Sequence, residues 1–250
     1  NASLSFGQTK CHLLWTLIAL LILVHTSSKS QTPDWVNHPE PLPVFGGDSR
    51  GNAIARDALG NLYVAGYFEY TADFDPGAGT ANLTSAGVSD IFLAKYDASG
   101  QYLWAIRMGS TNNDIPYDLA LDGSGNVCLT GGFQGTVDFD PGAGTVHLTA
   151  LGEDIFFAKY DASGNYLWAK RVGGNGSDFG SGLSIDGNGH ICLTGAFENT
   201  ADFDPGAGTA NLTSAGSQDI FIAKYDASGN YLWAKRIGDA GFDRGIAIAL

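Results

Sequence analysis

The strongest constraint on this chain is that it repeats itself. The octapeptide DFDPGAGT begins at Asp73, Asp138 and Asp202, AKYDASG begins at Ala94, Ala158 and Ala223, and YLWA begins at Tyr102, Tyr166 and Tyr231, so one unit spans 64 to 65 residues. Several motifs recurring in order at one spacing fix the architecture before any local propensity matters. Each unit is a supersecondary block that buries its apolar surface against its neighbours.

Within a unit, period-2 alternation marks four strands. The first is Ala53 to Arg56, with Leu119 to Leu121, Leu183 to Ile185 and Ile246 to Leu250 as its copies. The second carries Leu62, Val64 and Phe68 on one face, the third runs from Ile91 to Tyr96, and the fourth from Tyr102 to Arg107. Strands one and two are joined by turns headed by Asp57, Asp122 and Asp186, and strands three and four by turns headed by Asp97, Asp161 and Asp226. Asp accepts bonds from turn amides and Gly supplies positive φ, so these segments are expected to form hairpins. Gly is abundant, with 35 of 250 residues, which fits short strands and tight turns and excludes a helical bundle.

Four antiparallel strands per unit, too thin to cover both faces of their own sheet, predict an all-β β-propeller of packed blades, present as an incomplete arc. The blades are expected at about residues 48–112, 113–176 and 177–241, with a partial fourth over 242–250. Open blade edges at the ends of such an arc favour association.

Ahead of the repeats, Lys10 precedes an uncharged run from Leu13 to Val24, with small residues at Ser28 and Ser30. Twelve apolar residues are short of the ~20 that span a bilayer, so residues 1–30 read as a secretory signal, with no stable membrane span after its removal. Residues 31–47 form a lead-in whose PLPVFGG resembles the end of a fourth strand and is expected to complete the blade of the last unit. A formal charge of −13 argues against nucleic acid or an anionic membrane surface as partner.

The strings GNVCLTGGF and DIFFAKYDASGNYLWAKRVGG, with their copies, resemble the bacterial seven-bladed β-propeller repeats. The resemblance covers residues 48–250. It implies a secreted or cell-surface propeller.

Among candidate site residues, Asp73 and Asp75, with copies Asp138 and Asp140, and Asp202 and Asp204, stand first. Carboxylates at i and i+2 of an extended segment share a side and suit Ca²⁺, whereas the competing reading makes them caps of the Pro-Gly-Ala-Gly turn. Asp48, Asp114, Asp178 and Asp243 are expected on the same loop face, where the copies vary most and a protein or glycan could bind. Cys128 and Cys192 occupy one strand position in neighbouring units and read as buried free thiols. Trp104, Trp168 and Trp233 read as packing between blades, and Lys95, Lys159 and Lys224 as partners of acids on the blade surface.

No nucleophile motif, phosphate loop or zinc spacing occurs, and His38, His147 and His190 stand apart from one another. No cofactor is expected beyond calcium. Three functions remain at this level: a non-enzymatic adhesion or binding scaffold, a polysaccharide hydrolase or lyase with its catalytic residues in other blades, and a structural spacer.

Overall fold

The structure, a computed structural model, describes residues 47–250, and residues 49–250 form one compact unit. The segment read as an export signal and, apart from Gly47, the lead-in over 31–47 lie outside the described residues.

Blade 1 contains β1 (Ser49–Arg56), β2 (Leu62–Phe68), the short strands β3 (Thr71–Asp73) and β4 (Asn82–Thr84), β5 (Asp90–Tyr96) and β6 (Tyr102–Met108). Blade 2 contains β7 (Ile115–Leu121), β8 (Val127–Asp138), β9 (His147–Tyr160) and β10 (Tyr166–Gly174). Blade 3 contains β11 (Phe179–Ile185), β12 (Ile191–Asp202), β13 (Asn211–Tyr225) and β14 (Tyr231–Ile237). Pairing is antiparallel throughout these blades, and β1, β7 and β11 lie side by side from blade to blade. The fold is the expected all-β open arc of a propeller.

All six Asp-headed turns form. In each, the Asp amide bonds the carbonyl four residues on, as from Asp57 to Asn61 at 3.0 Å and from Asp161 to Asn165 at 2.9 Å. The glycine before the last turn position has positive φ in every copy, from 77° at Gly229 to 91° at Gly60. The sequence therefore fixes hairpin register locally, and the apolar alternation then fixes which face is buried.

The segment between the second and third strands is more ordered than a connecting loop. In blade 2, β8 and β9 run on past a bulge, with Thr136 to Asp138 pairing with His147 to Thr149. Blade 3 repeats this, and in blade 1 the same ribbon is the separate pair β3 and β4. The bulge residue has positive φ in each copy: Tyr70 at 56°, Gly135 at 69° and Asn199 at 61°. The ribbon was hidden from alternation because the bulge flips the pleat by one residue. The ribbon of blade 3 also pairs with the end of blade 2, Gly173 with Asp202 and Gly174 with Ala201, which joins the two blades into one sheet.

Three aromatic rings tie each ribbon to its blade. Phe133, Phe139 and Phe156 have centroids 5.1 to 6.3 Å apart, and Phe68–Phe74–Phe92 and Phe197–Phe203–Phe221 repeat the arrangement. Phe139 is the Phe of DFDP and is fully buried. Truncation to Phe139→Ala is expected to cost about 3–5 kcal/mol in a denaturant titration, the usual cavity cost for a buried Phe. A cost below about 1 kcal/mol would mean that the ribbon is not anchored through this ring.

Candidate functional site

The DFDPGAGT segments form the turns of the ribbons, and their acids are engaged in the same way in every blade. Asp73 Oδ1 accepts the amides of Asp75 at 3.0 Å and Ala81 at 2.8 Å, while Asp75 Oδ1 accepts the Gly77 amide at 2.8 Å. Asp138 with Asp140, and Asp202 with Asp204, reproduce these bonds. Asp75 Oδ2 lies where a Cβ on Gly79 would be 2.1 Å away, which explains the second glycine of the motif. The carboxylates act as turn caps, and no group of three or more His, Cys, Asp or Glu that could hold a metal occurs among the described residues. The carbonyl after each first Asp accepts a tyrosine hydroxyl: Tyr96 to Phe74 at 3.0 Å, Tyr160 to Phe139 at 2.8 Å, Tyr225 to Phe203 at 3.1 Å. Burial pushes the Tyr96 hydroxyl up to about 12, helped by the charges of Tyr102, Asp75 and Asp73.

Asp114 and Asp178, expected on the open loop face, are not exposed there. Both are fully buried and staple one blade to the next. The Asp178 amide donates to Glu153 O of blade 2 at 2.7 Å, while its carboxylate accepts Gly174 N at 2.8 Å and Glu198 N of blade 3 at 2.9 Å. Asp114 does the same through Ser89 O, Ser110 N and Gln134 N. Asp243 keeps part of the pattern, donating to Gln218 O at 2.8 Å and accepting Asp239 N at 3.0 Å. Asp48 is exposed, and strand register puts Ser49 rather than Asp48 at the position of Asp114.

A second buried carboxylate accompanies each staple. Asp90, Asp154 and Asp219 are fully buried and pair with Arg107, Arg171 and Arg236. Asp154 Oδ1 and Asp178 Oδ2 would lie 2.6 and 2.9 Å from a Cβ on Gly173, so only glycine fits between them. Burial pushes Asp178 up to about 7, and the Asp154 and Glu198 charges add to the shift. Burial likewise raises Asp114 to about 6, against the amides of Gln134 and Ser110.

The strand lysines and tryptophans also serve the frame. Lys159 pairs with Asp122 at 2.7 Å, Lys224 with Asp186 at 3.0 Å and Lys95 with Asp57 at 3.9 Å, and Lys95 also reaches into blade 2 to donate to Ala162 O at 3.0 Å. Lys95 and Lys159 are buried rather than on the surface. The Lys224 bond holds the Asp186 carboxyl far below the usual range. Trp104 packs against Gly164 of blade 2 and Trp168 against Gly229 of blade 3, so these rings lie between blades as expected. Cys128 and Cys192 are buried free thiols, and burial raises the Cys128 thiol to about 12.

Among the described residues a polar cleft of about 430 Å³ opens between blades 2 and 3 at the ribbon end, and another of about 300 Å³, lined by Ile106 and by Asp140 to Gly142, opens between blades 1 and 2. His147, Lys170 and Arg171 line one side of the larger cleft, and Asp202, Asp204 and Pro205 the other. Sequence reasoning passed over Lys170, although the departure from the repeat was visible: the first junction has Ile106 there, and Asn82 in place of His147.

No family model matches the chain. It is 28% identical over 222 residues to an uncharacterized WD repeat-containing protein, L264, of Acanthamoeba polyphaga mimivirus, covering 77% of this chain and 16% of that protein. It is 29% identical over 162 residues to the regulatory protein FlaEY of Caulobacter vibrioides, covering 63% of this chain and 16% of that protein. The chain thus spans a small part of each curated relative, and the likeness to a WD repeat-containing protein agrees with a repeat β-propeller-type fold. A solved structure of unknown function from Bacteroides caccae overlaps 79% of this chain and 84% of its own at 13% identity, with a TM-score of 0.25 that is too low to establish a shared fold. Among the described residues no helix is long and apolar enough to cross a membrane.

Two outcomes follow from the carboxylates. Asp138→Ala is expected to lower stability by about 1–2 kcal/mol, the value of a lost cap, whether or not calcium is present. A loss seen only with calcium in the buffer would restore metal ligation. For Asp178 the folded value lies above the unfolded one of about 3.9, so its contribution is complete below about pH 4 and disappears as pH rises through about 7. Asp178→Asn is therefore expected to flatten the fall in melting temperature over that window; an unchanged pH profile would show that Asp178 stays ionised.

Proposed function

We propose that this chain is part of an exported, non-enzymatic β-propeller scaffold, of the kind formed by the bacterial seven-bladed repeats, that holds a protein or glycan ligand at its ribbon end. One observation carries the reading: a near-invariant frame surrounds clefts whose lining changes from junction to junction. Between blades 1 and 2 the lining has Ile106 beside Asp140, while between blades 2 and 3 it has Lys170 and His147, whose counterpart in blade 1 is Asn82, beside Asp202 and Asp204. Cations and carboxylates facing across a cleft suit a ligand with hydroxyl and carboxyl groups, and cleft position between packed units is where ligand sites concentrate.

The acids support a scaffold reading rather than a catalytic one. Two carboxyl groups at a fixed separation would suffice for glycoside cleavage. Here the repeated acids are committed to turn amides, to junction amides or to Arg and Lys partners. Export rests on residues 1–30, whose charge and apolar run fit a secretory signal.

The test is retention of the full chain on immobilised polysaccharides and on a glycan array. Retention by an acidic polysaccharide is expected. The double variant His147→Asn, Lys170→Ile, which gives the second junction the lining of the first, is expected to bind about tenfold or more weakly with an unchanged melt. Equal retention of the variant would move the site elsewhere, and release of reducing ends would favour the hydrolase.

A further inference from the structure

Both internal junctions bury a carboxylate oxygen that no donor reaches. Asp154 Oδ2 accepts the Leu151 amide at 3.0 Å and pairs with Arg171, while among the described residues Asp154 Oδ1 is buried with no hydrogen-bond partner. Asp90 repeats this at the first junction: Oδ2 accepts the Ala86 amide at 2.8 Å and pairs with Arg107, and Oδ1 is buried without a partner. An ionised oxygen kept from both water and donors is costly. The orphan of Asp154 is aimed at a second acid. Asp154 Oδ1 and Asp178 Oδ2 lie 2.6 and 2.9 Å from one point, the ideal Cβ position of the buried Gly173.

The charges around this pair do not balance. Facing Asp178 are Asp154 and Glu153 of β9, Arg171 of β10 and Glu198 of β12, with Arg244 against the neighbouring Phe179 ring at 4.5 Å. Glu153 is held by the Ser177 hydroxyl at 2.8 Å, and the Glu198 amide donates to Asp178 at 2.9 Å. At the first junction Ser89 and Gln134 stand where the second has Glu153 and Glu198, so Arg107 faces only Asp90 and Asp114. The higher value of Asp178, about 7 against about 6 for Asp114, follows the added carboxylates. Arg171 and Gly173 also line the cleft between blades 2 and 3, which places the acid pair in its wall.

We propose that Asp154 and Asp178 hold one proton between them in the folded chain, and that its release to water as pH rises turns this wall of the cleft negative. With the proton in place the two carboxyls carry a single charge, which Arg171 balances, and the orphan oxygen gains a hydrogen. The proton belongs to the pair rather than to either residue. On the reading that the cleft holds an acidic ligand, the ligand is retained while the pair is protonated and repelled once it ionises. The proton site itself stands without that reading.

The experiment follows the carboxyl resonances of the full chain, labelled with ¹³C at aspartate, by NMR from about pH 4 to about pH 9. One resonance, missing in Asp178→Asn, is expected to titrate near pH 7. In Asp154→Asn the carboxamide oxygen can keep the Leu151 and Arg171 contacts while the amide group stands where the proton was. That variant is expected to lower the proton affinity of Asp178 about tenfold or more. Glu198→Gln, which gives the second junction the residue of the first, is expected to lower it by less. The titration is expected to be the same with a chelator and with added calcium. Aspartates that all titrate in the ordinary range, an Asp178 unmoved by both Asp154→Asn and Glu198→Gln, or a titration seen only after chelation, as for a pair held by a metal ion, would each overturn the proposal. Because the measurement uses the free chain, failure to retain any polysaccharide counts against the ligand reading alone.

Discussion

A four-stranded blade is apolar on both faces, and only another blade can cover them. That requirement orders everything else in the molecule. The two larger core clusters span the junctions: Tyr63, Leu93 and Met108 of blade 1 share one with Leu119, Leu129 and Phe139 of blade 2, and Cys128, Phe157 and Val172 share the next with Ile191, Leu193 and Phe203, while a smaller cluster around Phe68, Phe74 and Phe92 lies within blade 1. Burial of such side chains is worth roughly 1.5–3 kcal/mol each, so the stability of a blade resides largely in its neighbours.

Packing alone would let flat sheets slide. The polar contacts at each junction set the register instead. Asp114 and Asp178 each hold backbone groups of two successive blades, and Asp118 accepts the Leu183 amide of blade 3 at 2.7 Å. Fully buried carboxylates are costly unless hydrogen-bonded, and these are bonded to amides that would otherwise be orphaned where a strand ends. The same logic relieves the loop face of structural duty. With turn acids capping amides and junction acids buried, the outward side chains at the ribbon end are free to differ between units, and the cleft lined by Lys170 and His147 is one result.

Much of this was legible in the sequence, because repetition converts weak local signals into strong ones. Strand order, the six Asp-headed turns and the inter-blade place of Trp104 and Trp168 followed from spacing and alternation. The ribbons did not, since Tyr70, Gly135 and Asn199 share no residue type that would announce a bulge, only a positive φ. Nor could sequence separate an exposed loop Asp from a buried staple: Asp114 and Asp178 follow polar, loop-like residues, and their burial comes from the neighbouring blade. The cleft was missed for a different reason. Attention to what recurs passes over the position where the copies diverge, and Ile106 against Lys170 is such a position.

The central claim is that each blade is stabilised chiefly by the blades on either side. Amide hydrogen exchange in dilute solution, read by strand, tests it directly, since exchange reports local opening free energies. Val172→Ala, which truncates a side chain of blade 2 that belongs to the core shared with blade 3, is predicted to speed exchange in β12 and β13 of blade 3 about as much as in β9 and β10 of blade 2. Faster exchange confined to blade 2 would contradict the account.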